Sequence, residues 1–227
     1  MNKDKKLIIL GAGRPHKGDQ PNAVYSGKLE KTTLQWQLEA SGISISDVIY
    51  VGGYKVAEIK AQFPSLTVVE DLDWSQTGSG GSLFKAPFQD QDSIMVCYSD
   101  ILFRPETFSE LQRLDSDIAI AYDSTKVACN TPLQNESINV SEKVTALATS
   151  APGIDKNVQP NWANGKFVGL VHFKNNAIKL LNRLWVDNPK KVEQLLLDDL
   201  IELLRVNGLS VGDVDVKGNW AELVDGY

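Results

Sequence analysis

Residues 7–23 read LIILGAGRPHKGDQPNA. Four consecutive aliphatic side chains, Leu7 to Leu10, closed by glycine, predict a short strand buried on both faces. Strands of that kind sit inside parallel sheets, so this stretch sets the fold class. It empties into Gly11-Ala12-Gly13, where the chain can turn tightly and bring backbone N–H groups against an anion. Arg14, His16 and Lys17 follow at once, adding mobile cations to fixed donors, and Gly18 and Pro21 punctuate the exit. Such a loop suits a triphosphate tail. It equally fits a plain glycine turn leaving a first strand.

Neither familiar phosphate loop is present. In a G-x-G-x-x-G reading the third glycine position is His16, and Pro15 sits inside the turn. Gly13 and Gly18 have the gap of a P-loop, but Asp19-Gln20 stands where Lys-Ser/Thr is required.

Outward from this loop, strand and helix signals alternate. Thr32 or Thr33 caps a helix to about Ser41, with Leu34 and Leu38 on one face and Gly42 at its end. Residues 47–53 (DVIYVGG) form a second strand, 56–63 a helix stopped by Pro64, and 66–70 a third strand. A fourth buried strand spans 93–99 (SIMVCYS) and lands on Asp100. A helix starts at Pro105, and 117–122 (DIAIAY) is a further strand. Alternating pieces at 137–140 and 143–148 predict a small antiparallel insert within 124–165. Strand 166–173 follows, then one long helix over 190–206, closed by Gly208, and a last strand at 210–216. The fold class expected is α/β: a Rossmann-like mixed sheet, mostly parallel, with helices on both faces, as a single domain over 1–227.

Composition narrows the function. Net charge is −6, which argues against a general nucleic-acid binder. Lys3, Lys5, Lys6, Arg14 and Lys17 form a local positive patch, the first three reading as a solvated N-terminus. Cys97 and Cys129 offer neither a disulfide framework nor zinc spacing, and Cys97 reads as core. No apolar run is long enough to span a membrane, and no signal-peptide pattern follows the start. A soluble cytoplasmic protein is expected; the oligomeric state stays open.

Asp100, at the carboxyl end of a buried strand, stands where open α/β sheets place ligands, and a carboxylate there can hold Mg²⁺. It is also ordinary turn chemistry. Asp123 ends strand 117–122 in the same way, with nothing else to support a role. Glu222 and Asp225, in NWAELVDGY, can supply an opposing carboxylate or simply a polar face. Gln76-Thr77-Gly78-Ser79 offers hydrogen bonds to a base edge, or a flexible turn. His172 reads as a core histidine. Trp162, Trp185, Trp220 and Tyr122 are candidates for an aromatic box around a quaternary ammonium, with core packing the competing role.

Taken in order, LIILGAGRP, LQWQLEASGI, VIYVGGY, W-x-x-TGSGGSL, CYSDILF, GKFVGLVHF and NWAEL resemble the nucleotidyltransferases that couple NTPs to sugar phosphates or phosphocholine. The resemblance spans nearly the whole chain. It implies a Rossmann-like fold, an Mg²⁺ ion, and attack by an acceptor phosphate on the nucleotide α-phosphorus with release of pyrophosphate. By position it implies that Leu10, Gly11, Ala12 and Gly13 contact base and ribose, and that Arg14 or Lys17 meets the phosphates. Thr77 and Gly78 would face the base. Asp100 and Glu222, with Asp225 as a further acid, would hold the metal. The chain departs from the family in its shorter loop and in Pro21-Asn22, where a Pro-Lys pair is usual; Lys17 is the substitute for that lysine. The shortened loop is most similar to cytidylyltransferase-like members associated with capsule or cell-surface genes, which favours CTP. Two other readings compete: a nucleotide-sugar glycosyltransferase, weakened by Ser99-Asp100-Ile101 in place of Asp-x-Asp, and a regulatory subunit that binds nucleotide without turnover.

Overall fold

The computed structural model describes residues 6–15, 18–27, 30–126, 146–147, 154–155 and 165–223. Strand β1 (Lys6–Gly11) is buried along its aliphatic run. Ile8 and Leu10 enter the apolar core on one side of the sheet, and Leu7 and Ile9 the core on the other. Helix α1 (Thr33–Ser41) begins at Thr32, whose hydroxyl accepts from Gln35 N–H while the Gln35 side chain accepts from Thr32 N–H. This reciprocal cap satisfies two otherwise orphaned donors. Gly42 ends the helix at φ 64°, a conformation that glycine adopts without steric cost. Strand β2 (Val48–Gly52), helix α2 (Val56–Gln62) and strand β3 (Thr67–Glu70) follow.

Strand β4 (Ser93–Tyr98) returns to the other side of β1. Strands β6 (Ile118–Asp123), β9 (Lys166–Lys174) and β10 (Val211–Asp215) complete a sheet of order β10-β6-β9-β4-β1-β2-β3. All its pairings are parallel except those of β9, which runs antiparallel to both β4 and β6. Helices α1, α2 and α4 (Pro105–Arg113) cover one face through Leu34, Ile59 and Leu111. Helices α3 (Ser79–Leu83), α5 (Asn175–Asp187), α6 (Pro189–Glu193) and α7 (Leu197–Val206) cover the other through Leu83, Leu181, Val192 and Leu200. The expected mixed, mostly parallel sheet with helices on both faces is therefore what forms. Strands β7 (Ala146–Leu147) and β8 (Ile154–Asp155) pair antiparallel within the expected insert; residues 137–140 and Cys129 lie outside the described residues. Cys97 is fully buried, and among the described residues no helix is long and apolar enough to cross a membrane.

Three expectations need correction. The helix over 190–206 is two helices, α6 and α7, because the chain opens between them to receive the glycine-rich segment. Gly78 N–H donates to Glu193 C=O, and Gly80 and Gly81 N–H both donate to Leu195 C=O. A Cβ on Gly78, Gly80 or Gly81 would lie 2.1, 2.7 or 1.9 Å from a carbonyl oxygen of this junction. The Ser79 hydroxyl accepts from Leu197 N–H at 2.9 Å, supplying the N-terminal cap of α7 that Leu196 cannot. Second, Lys6 is not part of one patch with Arg14. It pairs with Asp47 at 2.9 Å at the opposite end of β1, about 17 Å away at the usual rise per strand residue.

The third concerns Asp123, which is no idle strand end. Its carboxylate is fully buried and accepts from Thr125 N–H, the Thr125 hydroxyl, Gly218 N–H and the Trp220 indole N–H at 2.7–3.0 Å. Burial alone would raise its pKa, but the hydrogen bonds from Thr125, Trp220 and Gly218 outweigh it and hold the carboxyl below its usual value. These bonds fix the start of β11 (Trp220–Glu222), which pairs antiparallel with β5 (Ile101–Phe103). The sequence reading contained neither this two-stranded ribbon nor α5.

Two stability outcomes follow from this packing. Gly81→Ala forces a methyl into the Glu193 carbonyl and should cost about 1–3 kcal/mol, the range for overpacking, read as a lower melting temperature. Asp123→Asn turns an amide donor toward other donors and should cost about 1–3 kcal/mol at neutral pH. Because the folded pKa is depressed, the carboxylate's contribution is complete above the unfolded value of about 4 and fades as pH falls through the folded one. The stability gap between parent and Asp123→Asn should therefore narrow in acid denaturant melts.

Candidate functional site

The chain runs β1-α1-β2-α2-β3 outward in one direction, then places β4 on the far side of β1. Strand order reverses there, and in open α/β sheets the crevice beyond the carboxyl ends at such a reversal holds ligands. A cavity of about 250 Å³ lies at this point. Leu10, Gly11, Gly13 and Arg14 line it from β1 and its loop; Tyr98, Ser99 and Asp100 line it from the end of β4. Asn22 and Glu222 close the remaining wall.

Two backbone features shape this cavity. Ser99 N–H donates to Leu10 C=O at 3.0 Å, extending the β1–β4 ladder to the mouth. Beneath Gly11, the Tyr50 hydroxyl donates to the Gly11 carbonyl at 3.1 Å. Burial pushes the Tyr50 phenol pKa upward, against a smaller opposing effect of its hydrogen bond with Ser99, so it stays a neutral donor. A Cβ on Gly11 would fall 2.0 Å from the Tyr50 oxygen and 2.8 Å from Ser99 Oγ. Gly11 is thus required for packing. Gly13 is different, since a Cβ there meets nothing within 4 Å and the residue borders the cavity.

Asp100 and Glu222, far apart in sequence, are brought together by the β5–β11 ribbon. Glu222 pairs in register with Ile101, and Leu223 N–H donates to Asp100 C=O at 2.8 Å. Two carboxylates on the wall of one cavity are a hard-oxygen donor set that suits Mg²⁺, which commonly takes one or two protein carboxylates and leaves its other positions to water and phosphate. Among the described residues no group of three or more His, Cys, Asp or Glu is placed to hold a metal. The Glu222 carboxylate also pairs with Lys166.

Arg14 extends over the Tyr54 ring, 5.5 Å from its centroid, with Nη2 3.8 Å from Asp19. The Asp19 carboxylate also accepts from Lys55 and the Tyr54 hydroxyl, which hold its pKa below the usual carboxylate value. Tyr54 N–H donates to Ala12 C=O at 2.8 Å, fastening the turn after β2 to the glycine loop. Lys55 adopts the left-handed backbone conformation, φ 47°, and brings a second cation beside Arg14. The only sequence signal for it was a strand ending in Gly52-Gly53.

The other candidates separate clearly. Gly78 and Ser79 spend their hydrogen bonds on the α6–α7 junction, and the Thr77 hydroxyl donates to Asp73 C=O at 3.0 Å. Gln76, Thr77, Gly78 and Ser79 are absent from the cavity lining; Ser79 is connected to it only through Tyr98, whose hydroxyl is 3.3 Å away. His172 is buried, Nδ1 3.3 Å from Leu111 C=O, as a core histidine. Trp185 stacks on Phe84 at 4.8 Å and packs against the core, and the Trp220 indole N–H is tied to Asp123. His16, Lys17, Trp162 and Asp225 lie outside the described residues. Asn22, Tyr98 and Ser99 line the cavity without having been named as lining residues; Asn22 and Ser99 drew notice only as departures from the Pro-Lys and Asp-x-Asp patterns.

No model of a known protein family matches this chain, and no curated protein sequence matches it. Solved structures do match in shape. The inositol-1-phosphate CTP transferase from T. maritima superposes with a TM-score of 0.66 at 16% identity, over 97% of this chain and 89% of that one. The CTP:phosphocholine cytidylyltransferase from Streptococcus pneumoniae superposes with a TM-score of 0.63 at 15% identity, over 97% of this chain and 93% of that one. At these identities the likeness establishes the fold.

The two loop glycines give a direct test of this geometry. Gly11→Ala should lower stability by about 1–3 kcal/mol through overpacking against Tyr50. Gly13→Val should melt within about 0.5 kcal/mol of the parent, as surface substitutions do. Equal melting temperatures for the two variants would contradict the assignment of Gly11 to packing and Gly13 to the cavity.

Proposed function

We propose that this protein is a Mg²⁺-dependent nucleotidyltransferase that joins an NTP, CTP in preference, to a small phosphorylated acceptor and releases pyrophosphate. The observation that carries the reading is the convergence of Asp100 and Glu222 with the glycine loop at the strand-order reversal. The sequence motifs and the shared fold with cytidylyltransferases support it. Sugar phosphates, phosphocholine and related phosphorylated compounds form the acceptor class, and a cytoplasmic role in cell-surface or capsule synthesis is the setting the motifs favour.

In this reading Leu10, Gly11, Ala12 and Gly13 seat the nucleoside, and Arg14 meets the phosphates together with Lys17. Asp100 and Glu222 would hold Mg²⁺, which supplies positive charge to the phosphoryl oxygens as charge develops on them. The protein's own work is positioning: it aligns the acceptor phosphate with the α-phosphorus and sets cations where charge gathers. Asn22 favours a second reading. This neutral residue faces the cavity at the place where the resemblance implies a lysine, so a subunit that binds nucleotide without turnover competes.

Pyrophosphate release, measured with each NTP against a panel of phosphorylated small molecules, separates the two. Release with CTP and one acceptor supports the enzyme; tight CTP binding without release from any pair supports the binding subunit. Asp100→Asn should melt near the parent, lose the Mg²⁺-dependent part of CTP affinity, and lose turnover by a factor on the order of 10² or more, as when a preorganised charge-stabilising group is removed. Undiminished turnover in that variant would remove the carboxylate pair from the reaction.

A further inference from the structure

Lys166 has no part in the functions assigned above, yet it is seated with unusual care. As the first residue of β9 it stands in register with Asp123, and the reversed direction of β9 brings it to the carboxyl edge of the parallel strands. Its side chain is only 20% exposed. Its ammonium pairs with the Glu222 carboxylate and lies 5.4 Å from the centroid of the Trp220 ring. That ring is itself held by Asp123 through the indole N–H at 2.7 Å. A long side chain loses considerable rotamer freedom when fixed this way, and an ordinary surface ion pair returns little for it. The partner here is one of the two cavity carboxylates, and Asn22, which also lines the cavity, carries no charge.

We propose that Lys166 is a displaceable counter-cation of the carboxylate site. In the ligand-free protein it neutralises Glu222; as Glu222 takes up a divalent cation, the Lys166 ammonium is released toward the anionic ligand and adds the positive charge that Asn22 does not supply. Trp220 provides the seat from which it leaves. This inference rests on the nucleotidyltransferase reading for the identity of the anion, but its metal half stands without it.

The test uses the full chain and Mn²⁺ alone, followed by electron paramagnetic resonance, with Lys166→Met and Lys166→Gln beside the parent. Removing a competing cation from a partly exposed pair should tighten Mn²⁺ binding roughly fivefold in both variants. Binding of CTP at saturating Mg²⁺, where Lys166 is released, should weaken in both variants by a similar factor, roughly fivefold. A lysine that stays in place would change both affinities through its charge alone, but it would leave its own acetylation rate indifferent to Mg²⁺. In the parent, Mg²⁺ should also raise the rate at which an N-hydroxysuccinimide ester acetylates Lys166, read by mass spectrometry, which needs no variant to fold. Unchanged or weaker Mn²⁺ binding in folded variants, or an acetylation rate indifferent to Mg²⁺, would overturn the proposal. Failure of the parent to bind CTP would instead sink the nucleotidyltransferase reading, and the Mn²⁺ and acetylation results would still decide the role of Lys166.

Discussion

The carboxylate of Asp123 is the interaction on which the geometry of the site depends. A buried charge is tolerated only when its lone pairs are filled, and here four donors fill them. Two come from its own strand end at Thr125, and the others from Gly218 and Trp220 beyond β10. The bonds to Gly218 and Trp220 pull a distant part of the chain back across the sheet edge. Once Trp220 is fixed, β11 lies beside β5, and the register of that three-residue ribbon delivers Glu222 next to Asp100. The site therefore depends on a residue that need not touch any ligand.

Much of the frame was legible because its signals are local. The aliphatic runs of β1, β2 and β4 carry their burial in their composition, and the Thr32 cap and Gly42 mark α1 without reference to the rest of the chain. Helix α5 escaped because β9 runs into it at Lys174–Asn175 with no glycine or proline to mark the change. The α6–α7 break escaped for the opposite reason: the apolar spacing is helical throughout, and only a tertiary contact opens it. The ribbon of β5 and β11 is too short for either strand to show a period.

Glycine was the least legible residue type. Gly11, Gly13, Gly78, Gly80 and Gly81 all look like ligand-loop glycines in the sequence, and the resemblance assigns Gly11, Gly13 and Gly78 to a ligand. In the structure Gly11 makes room for Tyr50 and Ser99, while Gly78, Gly80 and Gly81 let one backbone lie against another. Only Gly13 keeps open space before it. A missing Cβ has the same appearance in a sequence whether the approaching group is a phosphate or a carbonyl, and the neighbour that decides is more than a hundred residues away for the second set.

The single reversed strand completes the logic of the site. In a purely parallel sheet, the ligand edge is built only from residues that follow strands, here the loop after β1 and the Ser99-Asp100 turn after β4. Those positions contribute glycines, Arg14 and one carboxylate. Because β9 runs the other way, its first residue reaches the same edge, and that residue is Lys166. The ribbon then sets Glu222 against it. A charge of each sign is thus added beside Asp100 by two departures from the parallel pattern, one in the central sheet and one at its rim. Placed together, they cancel while no ligand is present, which lets a carboxylate suited to a divalent cation remain partly buried without an unpaired charge.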